Sequence, residues 1–224
     1  MNCSWCQKEL IRNLSIQEIL FPWIITEEKC SQCIKKITWL DEPCCPTCKK
    51  MGEISICIEC QRWQKLYPAY NFRHHALFQY SEGFKEWMYQ FKFLGDYHLK
   101  RVFASEVSGF FKHQSALVIP IPLTEKRLSE RGFNQVEAIL EAADVSMCRY
   151  LIRNQHLTPQ SEKNRQERLA MPQPFCGTPE ALKIQNQKVI LVDDVYTTGR
   201  TLFHAAEVLL SYGPKEIQTF TLAR

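Results

Sequence analysis

The chain has 224 residues, 45% of them apolar and 23% charged, with a formal net charge of +4. That length and composition fit one ordinary domain or a compact domain with a small accessory module, and exclude a disordered chain. No apolar stretch approaches the roughly 18 residues of a membrane-spanning helix, and the start of the chain lacks the basic and apolar regions of a signal peptide, so a cytoplasmic protein without membrane insertion is expected. The small positive excess permits contact with phosphates but does not establish nucleic-acid binding.

Nine of the eleven cysteines fall within residues 1–60, and the charge divides at the same point: 7 Lys+Arg against 8 Asp+Glu before it, 21 against 16 after it. Four Cys-x-x-Cys pairs occur there: Cys3/Cys6, Cys30/Cys33, Cys45/Cys48 and Cys57/Cys60, with Cys44 left over. Two residues between thiolates let both sulfurs of a tight knuckle face one tetrahedral zinc, and two knuckles complete a four-cysteine site. Sequential pairing puts Cys3, Cys6, Cys30 and Cys33 on one ion and Cys45, Cys48, Cys57 and Cys60 on a second, about two Zn²⁺ in all. An interleaved, cross-braced pairing remains open. A disulfide framework is disfavoured without an export signal. Four sulfurs leave no position for water, so the metal would be structural, supplying about 10–16 kcal/mol per site to a segment too small to fold alone. Trp5, Trp23, Trp39 and Trp63 are expected to cover the knuckles, with an aromatic stacking platform for nucleic acid as the alternative. The expected organisation is a zinc-binding double-knuckle module over 1–60, a connector over 61–73 and a larger domain over 74–224.

From there strands and helices alternate. A strand is predicted over His75–Tyr80, a helix over Gly83–Phe93, a second helix from Gly95-Asp96 through Phe111, and a strand over Leu117–Ile121. Helices follow at Glu125–Arg131 and Gln135–Ala143, then a short strand at Tyr150–Ile152. Residues 153–187 show little apolar periodicity and read as a long functional or mobile loop. A strand at Lys188–Val192, a helix at Arg200–Ser211 and a final strand at Glu216–Leu222 close the pattern. Such alternation, with strands apolar on both faces, specifies a parallel sheet covered on both sides.

The chemistry-bearing segment is Val189-Ile190-Leu191-Val192-Asp193-Asp194-Val195-Tyr196-Thr197-Thr198-Gly199-Arg200-Thr201. A buried strand delivers two carboxylates to the carboxyl edge of the sheet, where such folds bind ligands. The turn that follows offers amides and hydroxyls at a helix N-terminus, suited to a phosphate. Phosphate donors next to acceptors for a vicinal diol describe a ribose 5-phosphate site. The plainer alternative is that Thr197 or Thr198 only caps the helix. Arg127 and Arg131, four residues apart, share a helix face and could clamp a diphosphate. No general base stands near the motif, and His204 reads as a surface residue.

The Val189–Thr201 segment resembles, at every position, the phosphoribosyl pyrophosphate motif of type I phosphoribosyltransferases. That resemblance implies a parallel-sheet phosphoribosyltransferase-like α/β domain, with Asp193 and Asp194 on the ribose hydroxyls and Thr197, Thr198, Gly199 and Thr201 on the 5-phosphate. Together with Ile119-Pro120-Ile121-Pro122, Arg131-Gly132-Phe133-Asn134-Gln135 and the cysteine module, it resembles the ComF family over nearly the whole chain. The stretch Gln160 to Arg168 is similar to that family's mobile loop and adds Arg168 as a diphosphate ligand, although Met171 stands where the family usually has Asn. The resemblance implies late competence, namely handling of single-stranded DNA on the cytoplasmic side beside a DEAD-box-like helicase partner. It also implies phosphoribosyl pyrophosphate binding with Mg²⁺. An active phosphoribosyltransferase with an unknown acceptor, and a zinc-built adaptor, are the competing functions. Phe72, Tyr80 and Trp87 are candidates for an acceptor pocket, though more often such residues are core. Arg62, Lys65, Arg73, Lys85, Lys92 and Lys100, interleaved with Trp63, Tyr67, Tyr70 and Phe72, suit weak, sequence-independent binding of a single strand, unless the rings pack between the modules.

Overall fold

The computed structural model describes residues 2–10, 16–21, 29–68, 70–153 and 173–224. Three helices precede the sheet: α1 (Ile16–Leu20), α2 (Ser31–Lys35) and α3 (Ile58–Leu66). Then come β1 (His74–Phe78), α4 (Glu82–Phe93), a 3-10 turn at Tyr97–Arg101, α5 (Ala104–Phe111), β2 (Leu117–Pro120), α6 (Glu125–Arg131) and α7 (Gln135–Ala142). After β3 (Leu151–Arg153) follow β4 (Phe175–Gly177), a 3-10 turn at Pro179–Ile184, β5 (Lys188–Val195), α8 (Arg200–Leu210) and β6 (Glu216–Ala223). Among the described residues no helix is long and apolar enough to cross a membrane.

Four parallel strands form the central sheet in the order β1-β6-β5-β2, with Pro120 opposite Val192 and Asp193 opposite Thr221. This register aligns the ends of β2 and β5, so Ile121 and the Asp193-Asp194 pair reach the same carboxyl edge; the Ile121 amide donates to the Val192 carbonyl at 2.9 Å. The unbroken apolar run Val189–Val192 is buried throughout, as a strand covered on both faces requires. One face carries Phe84, Trp87 and Phe91 of α4 together with Phe103, Val136 and Phe220. The other carries Phe72, Leu202, Phe203, Leu191 and Tyr196.

Three predicted elements differ. The helix expected from Gly95 to Phe111 is a 3-10 turn and a separate α5, broken at Val102-Phe103. The break lets Leu99, Val102 and Phe103 all bury, Phe103 meeting the Trp87 ring edge-on at 4.7 Å, so packing overrides helical continuity. The strand expected at Tyr150–Ile152 is Leu151–Arg153, and it pairs antiparallel with β4 outside the main sheet. Residues 173–187, expected as loop, hold β4 and a 3-10 turn that bury Phe175, Ala181 and Ile184; three anchors without a period leave no helical or strand signal. Residues 154–172, which include the Gln160–Arg168 segment, lie outside the described residues, as does Trp23.

The cysteine segment docks on both faces of this domain. Cys3, Trp5 and Cys33 join the cluster around α4, whereas Cys45, Cys48, Cys57 and Cys60 join the cluster around α8. Residues 38–40 lie antiparallel beside β1, with Leu40 N donating to Leu77 O at 2.9 Å and Trp39 bridging Phe78. The expected boundary at residue 60 falls inside α3, and the expected connector contributes Tyr70 and Phe72 to the core. At the first docking site Trp5 Nε1 donates to Gln90 Oε1 at 3.0 Å, and Lys36 pairs with Glu86 at 2.8 Å. A methyl group on Gly83 would come within 2.1 Å of the Lys36 carbonyl oxygen. Helix propensity alone would make Gly83→Ala stabilising by roughly 1 kcal/mol. The backbone clash reverses the sign: the substitution should cost about 1–3 kcal/mol. A lowered melting temperature in a thermal scan is the expected outcome.

Candidate functional site

Two features carry chemistry: the cysteine sets and a cavity at the carboxyl edge of the sheet. Cys3, Cys6, Cys30 and Cys33 form one set and Cys45, Cys48, Cys57 and Cys60 the other, all sulfurs of a set lying within 4.8 Å of one another. The structure thus gathers them in sequential pairs. A tetrahedral site with metal–sulfur bonds of about 2.3 Å places sulfurs about 3.8 Å apart. The Cys6–Cys30, Cys48–Cys57 and Cys45–Cys60 separations are 3.7, 3.6 and 4.0 Å. Both sets therefore fit a metal ion held by four thiolates.

The two sets are copies of one build, which the sequence shows only as repeated Cys-x-x-Cys. In each, the first cysteine's amide donates to a carbonyl five residues on, Lys8 or Lys50, at 2.8 Å. The residue after the second cysteine, Gln7 or Lys49, takes a positive φ of 58° or 62°. The third cysteine precedes a helix with nearly the same backbone angles, Cys30 at −65° and 157°, Cys57 at −66° and 159°. Its amide donates to the first sulfur, at 3.3 Å in one set and 3.4 Å in the other. Burial opposes it, but the amides of Cys30, Cys6 and Trp5 draw the Cys3 thiol down to about 6. A hydrogen bond with Cys60, working against burial and helped by Arg224, draws Cys48 to about 5. In each set other thiols shift the opposite way: burial raises Cys33 and Cys57, and the hydrogen bond with Cys48 raises Cys60, so four thiolates together require a bound cation. Trp5 is buried beside its knuckle; Trp39 is half exposed and meets the Phe78 ring at 4.9 Å, tilted by 60°.

The cavity, of about 290 Å³, brings Asp193, Asp194, Thr197 and Thr201 together with Arg127 and Arg131, as the sequence predicted, and adds Lys92, Gln135, Arg153 and Tyr80. Thr198 and Gly199 lie in the same turn, Thr198 exposed and Gly199 buried. Arg168 lies outside the described residues. The two carboxylates have different surroundings. Asp194 is buried, pairs with Lys92 at 2.7 Å and accepts a hydrogen bond from Gln135, whose own oxygen accepts from Arg131. Asp193 is partly exposed and accepts from the Asp194 amide at 2.9 Å. Burial, then the Asp194 charge, pushes the Asp193 carboxyl up to about 7. Burial lowers the pKa of both Arg131 and Arg153. Among the described residues no carboxylate forms an ion pair with Arg127, Arg131 or Arg153, so three guanidinium groups face a cavity without an anion of their own. Arg131 and Arg153 are partly desolvated and Arg127 is exposed, and together they give the cavity a cationic lining that favours a phosphate or diphosphate.

Local sequence builds these positions. Thr124 caps α6, accepting from Arg127 N at 3.3 Å, and Gly132 ends that helix at φ 81°. Asn134 caps α7 through Val136 N and donates to Ile121 O, each at 3.0 Å, which ties the Arg127–Gln135 segment to the end of β2. Gly199 sits at φ 77°, and a methyl group there would meet the Tyr196 hydroxyl at 2.3 Å. The threonines do not cap α8, since no side chain does. Its first turn keeps amides available to an anion. Of the acceptor candidates, Tyr80 lines the cavity, whereas Phe72 and Trp87 are core. The rings of residues 61–73, expected either to stack bases or to pack between the modules, all pack to some degree. Tyr70 and Phe72 are buried, and Trp63 stacks on Phe203 at 4.2 Å with Tyr67 beside it. His204, expected at the surface, is half-buried, lies 3.3 Å from Arg200 Nε, and is lowered by burial.

A parallel sheet with paired acids and a Thr-Thr-Gly turn at its carboxyl edge defines a phosphoribosyltransferase-type domain, and residues 129–224 match the family described as phosphoribosyl transferase domain. Along its whole length the chain is similar to competence protein ComFC of Streptococcus pneumoniae, 33% identical over 225 residues and covering 100% of both chains. ComFC of Bacillus subtilis is 30% identical over 230 residues, 99% of this chain and 94% of that one. DNA utilization protein YhgH of Shigella flexneri is 30% identical over 118 residues, 48% of each chain. This chain belongs to the ComF family.

The raised Asp193 carboxyl gives a pH signature. Its folded value near 7 lies above the ordinary 3.8, so the folded state holds this proton more tightly than the unfolded chain. The resulting stabilisation is complete below about pH 4 and is lost as pH rises through 7, on the order of 2–4 kcal/mol. Asp193→Asn should therefore gain stability relative to the parent between pH 5 and pH 8, read from urea melts at the two values.

Proposed function

We propose that this protein acts in natural transformation, handling incoming single-stranded DNA on the cytoplasmic side of the membrane, and that its phosphoribosyltransferase-type cavity binds phosphoribosyl pyrophosphate with Mg²⁺. The observation that carries the ligand reading is the pairing, in one cavity, of Asp193 and a hydroxyl-bearing turn with three guanidinium groups that form no carboxylate ion pair among the described residues. Asp193 would accept hydrogen bonds from the ribose hydroxyls. Thr197, Thr198, Gly199 and Thr201 would hold the 5-phosphate, and Arg127, Arg131 and Arg153 the diphosphate. Asp194 anchors Lys92 and Gln135 beside them. Mg²⁺ supplies further charge neutralisation on the diphosphate when bound. The competence and DNA-utilization names of the relatives support the cellular role. A DEAD-box-like helicase is the proposed partner, through which the protein reaches the inner face of the membrane. The two cysteine sets hold structural Zn²⁺.

Turnover is a second reading, favoured by Tyr80, whose ring is 43% exposed at the same cavity and offers a face to a planar acceptor. In that case the bond from ribose C1 to the diphosphate breaks, the acceptor takes C1, and the guanidinium groups receive the leaving charge.

Phosphoribosyl pyrophosphate with Mg²⁺ should raise the melting temperature by mass action. Asp193→Asn should abolish most of that shift while the protein remains folded; an equal shift in the variant would place the ligand elsewhere. Asp194 is the poorer target because its loss strands Lys92.

With Tyr70 and Phe72 buried and Trp63 and Tyr67 packed against Phe203, the 61–73 stretch offers DNA its exposed Arg62, Lys65 and Arg73. Binding should then be electrostatic. The fluorescence anisotropy of a labelled single strand should fall steeply between about 50 and 200 mM salt, and salt-independent binding would contradict this.

A further inference from the structure

We propose that Trp63 and Arg224 are positioning residues for the phosphate turn, and that the Cys45–Cys60 unit which carries and braces them is therefore part of the ligand site. The inference rests on the ribose-phosphate reading above.

Three successive carbonyls enter that turn, and each is held from outside the cavity. Arg224 Nη1 donates to Thr197 O at 2.9 Å and reaches Tyr196 O at 3.4 Å. Trp63 Nε1 donates to Thr198 O at 2.9 Å. A peptide unit has its carbonyl and amide on opposite sides, so fixing the carbonyl outward fixes the next amide toward the cavity. The amides of Thr197, Thr198, Gly199 and Thr201 donate to no carbonyl among the described residues. They are available to an anion.

Both donors are tied to the second cysteine set. Trp63 lies on α3, which begins immediately after Cys57, and its ring is stacked on Phe203 of α8 at 4.2 Å. Arg224 donates to Cys48 O at 3.2 Å and to Cys48 Sγ at 3.5 Å, and pairs with Glu59 at 3.3 Å. Its guanidinium also lies over the Tyr196 ring at 4.6 Å. Among the described residues the first cysteine set has no such link: its contacts run to α4 and α5, through Gln90, Glu86 and, from Lys29, Glu106. Two sets of one build therefore have different duties.

The experiment is calorimetric titration of phosphoribosyl pyrophosphate with Mg²⁺ into the full chain, with zinc content and melting temperature measured on each sample. Trp63→Phe keeps the stacked ring and removes only the donor; Arg224→Lys keeps the charge and removes the fork. Each should weaken binding about three- to tenfold, the value of one net hydrogen bond. Zinc content should stay at that of the parent in both, and the melting temperature of Trp63→Phe should stay close to it. Trp39→Phe, on the far edge beside β1, should bind as the parent does. Parent-like affinity in both test variants would overturn the positioning role, as would a loss of affinity that tracks loss of zinc. Failure of the parent itself to bind, or binding unaltered in Asp193→Asn, would instead overturn the ribose-phosphate reading.

Discussion

Two carboxylates follow one another at the end of β5, and the interior can hold such a pair only by giving each a different environment. Asp194 is held by two partners: Lys92 of α4 balances its charge, and Gln135 at the start of α7 donates a hydrogen bond to it. That arrangement fixes where both helices stand relative to the sheet edge. Asp193 is left with one backbone donor and a raised pKa, poised for a ligand that can supply more. The guanidinium groups around it are the counterpart: cations kept near a carboxylate they do not reach as an ion pair. The site thus stores an imbalance of charge that an anionic, hydroxyl-rich molecule would relieve.

The cysteine segment is bound into the same logic. It does not hang from the domain as a separate bead. One set is fastened against α4, the helix that supplies Lys92; the other is fastened against α8 and the turn that precedes it. The sheet is in effect held between two units of the same construction. With both sets loaded, the metal contribution to folding, about 10–16 kcal/mol per zinc site in small modules, would bear on the placement of the domain's own ligand-facing parts.

Much of this was legible in the sequence because its signals are local. The Lys188–Val192 run reads as a covered strand from its composition, and the Asp-Asp and Thr-Thr-Gly spacing is a property of consecutive residues. The cysteine sets are legible from spacing alone. What the sequence hid are contacts between distant positions that have no pattern to announce them. Arg153 enters the cavity because β3 pairs with β4 rather than with the main sheet. Lys92 looks like one more charge on an amphipathic helix until α4 is set beside β5. Gln135 belongs to a motif that was visible, yet its partner lies 59 residues away. Tyr70 and Phe72 read either as a stacking platform or as packing between the modules, because alternating rings and basic residues look the same whether the rings face water or Phe203. Only the fold decides which side they take.

The strand order carries a consequence for how the protein is made. The last strand, β6, lies between β1 and β5, and pairs with both. Until residues 216–223 leave the ribosome, β1 has no parallel neighbour, and the cysteine units that dock beside it face an unfinished sheet. Pairings this distant in sequence close late. Metal capture by the knuckles, which needs only nearby residues, can come first. The nascent chain would then carry loaded cysteine units that wait for the sheet, and a ribosome stalled before β6 would expose the Phe78, Phe84 and Phe203 surfaces that those units and strands later cover.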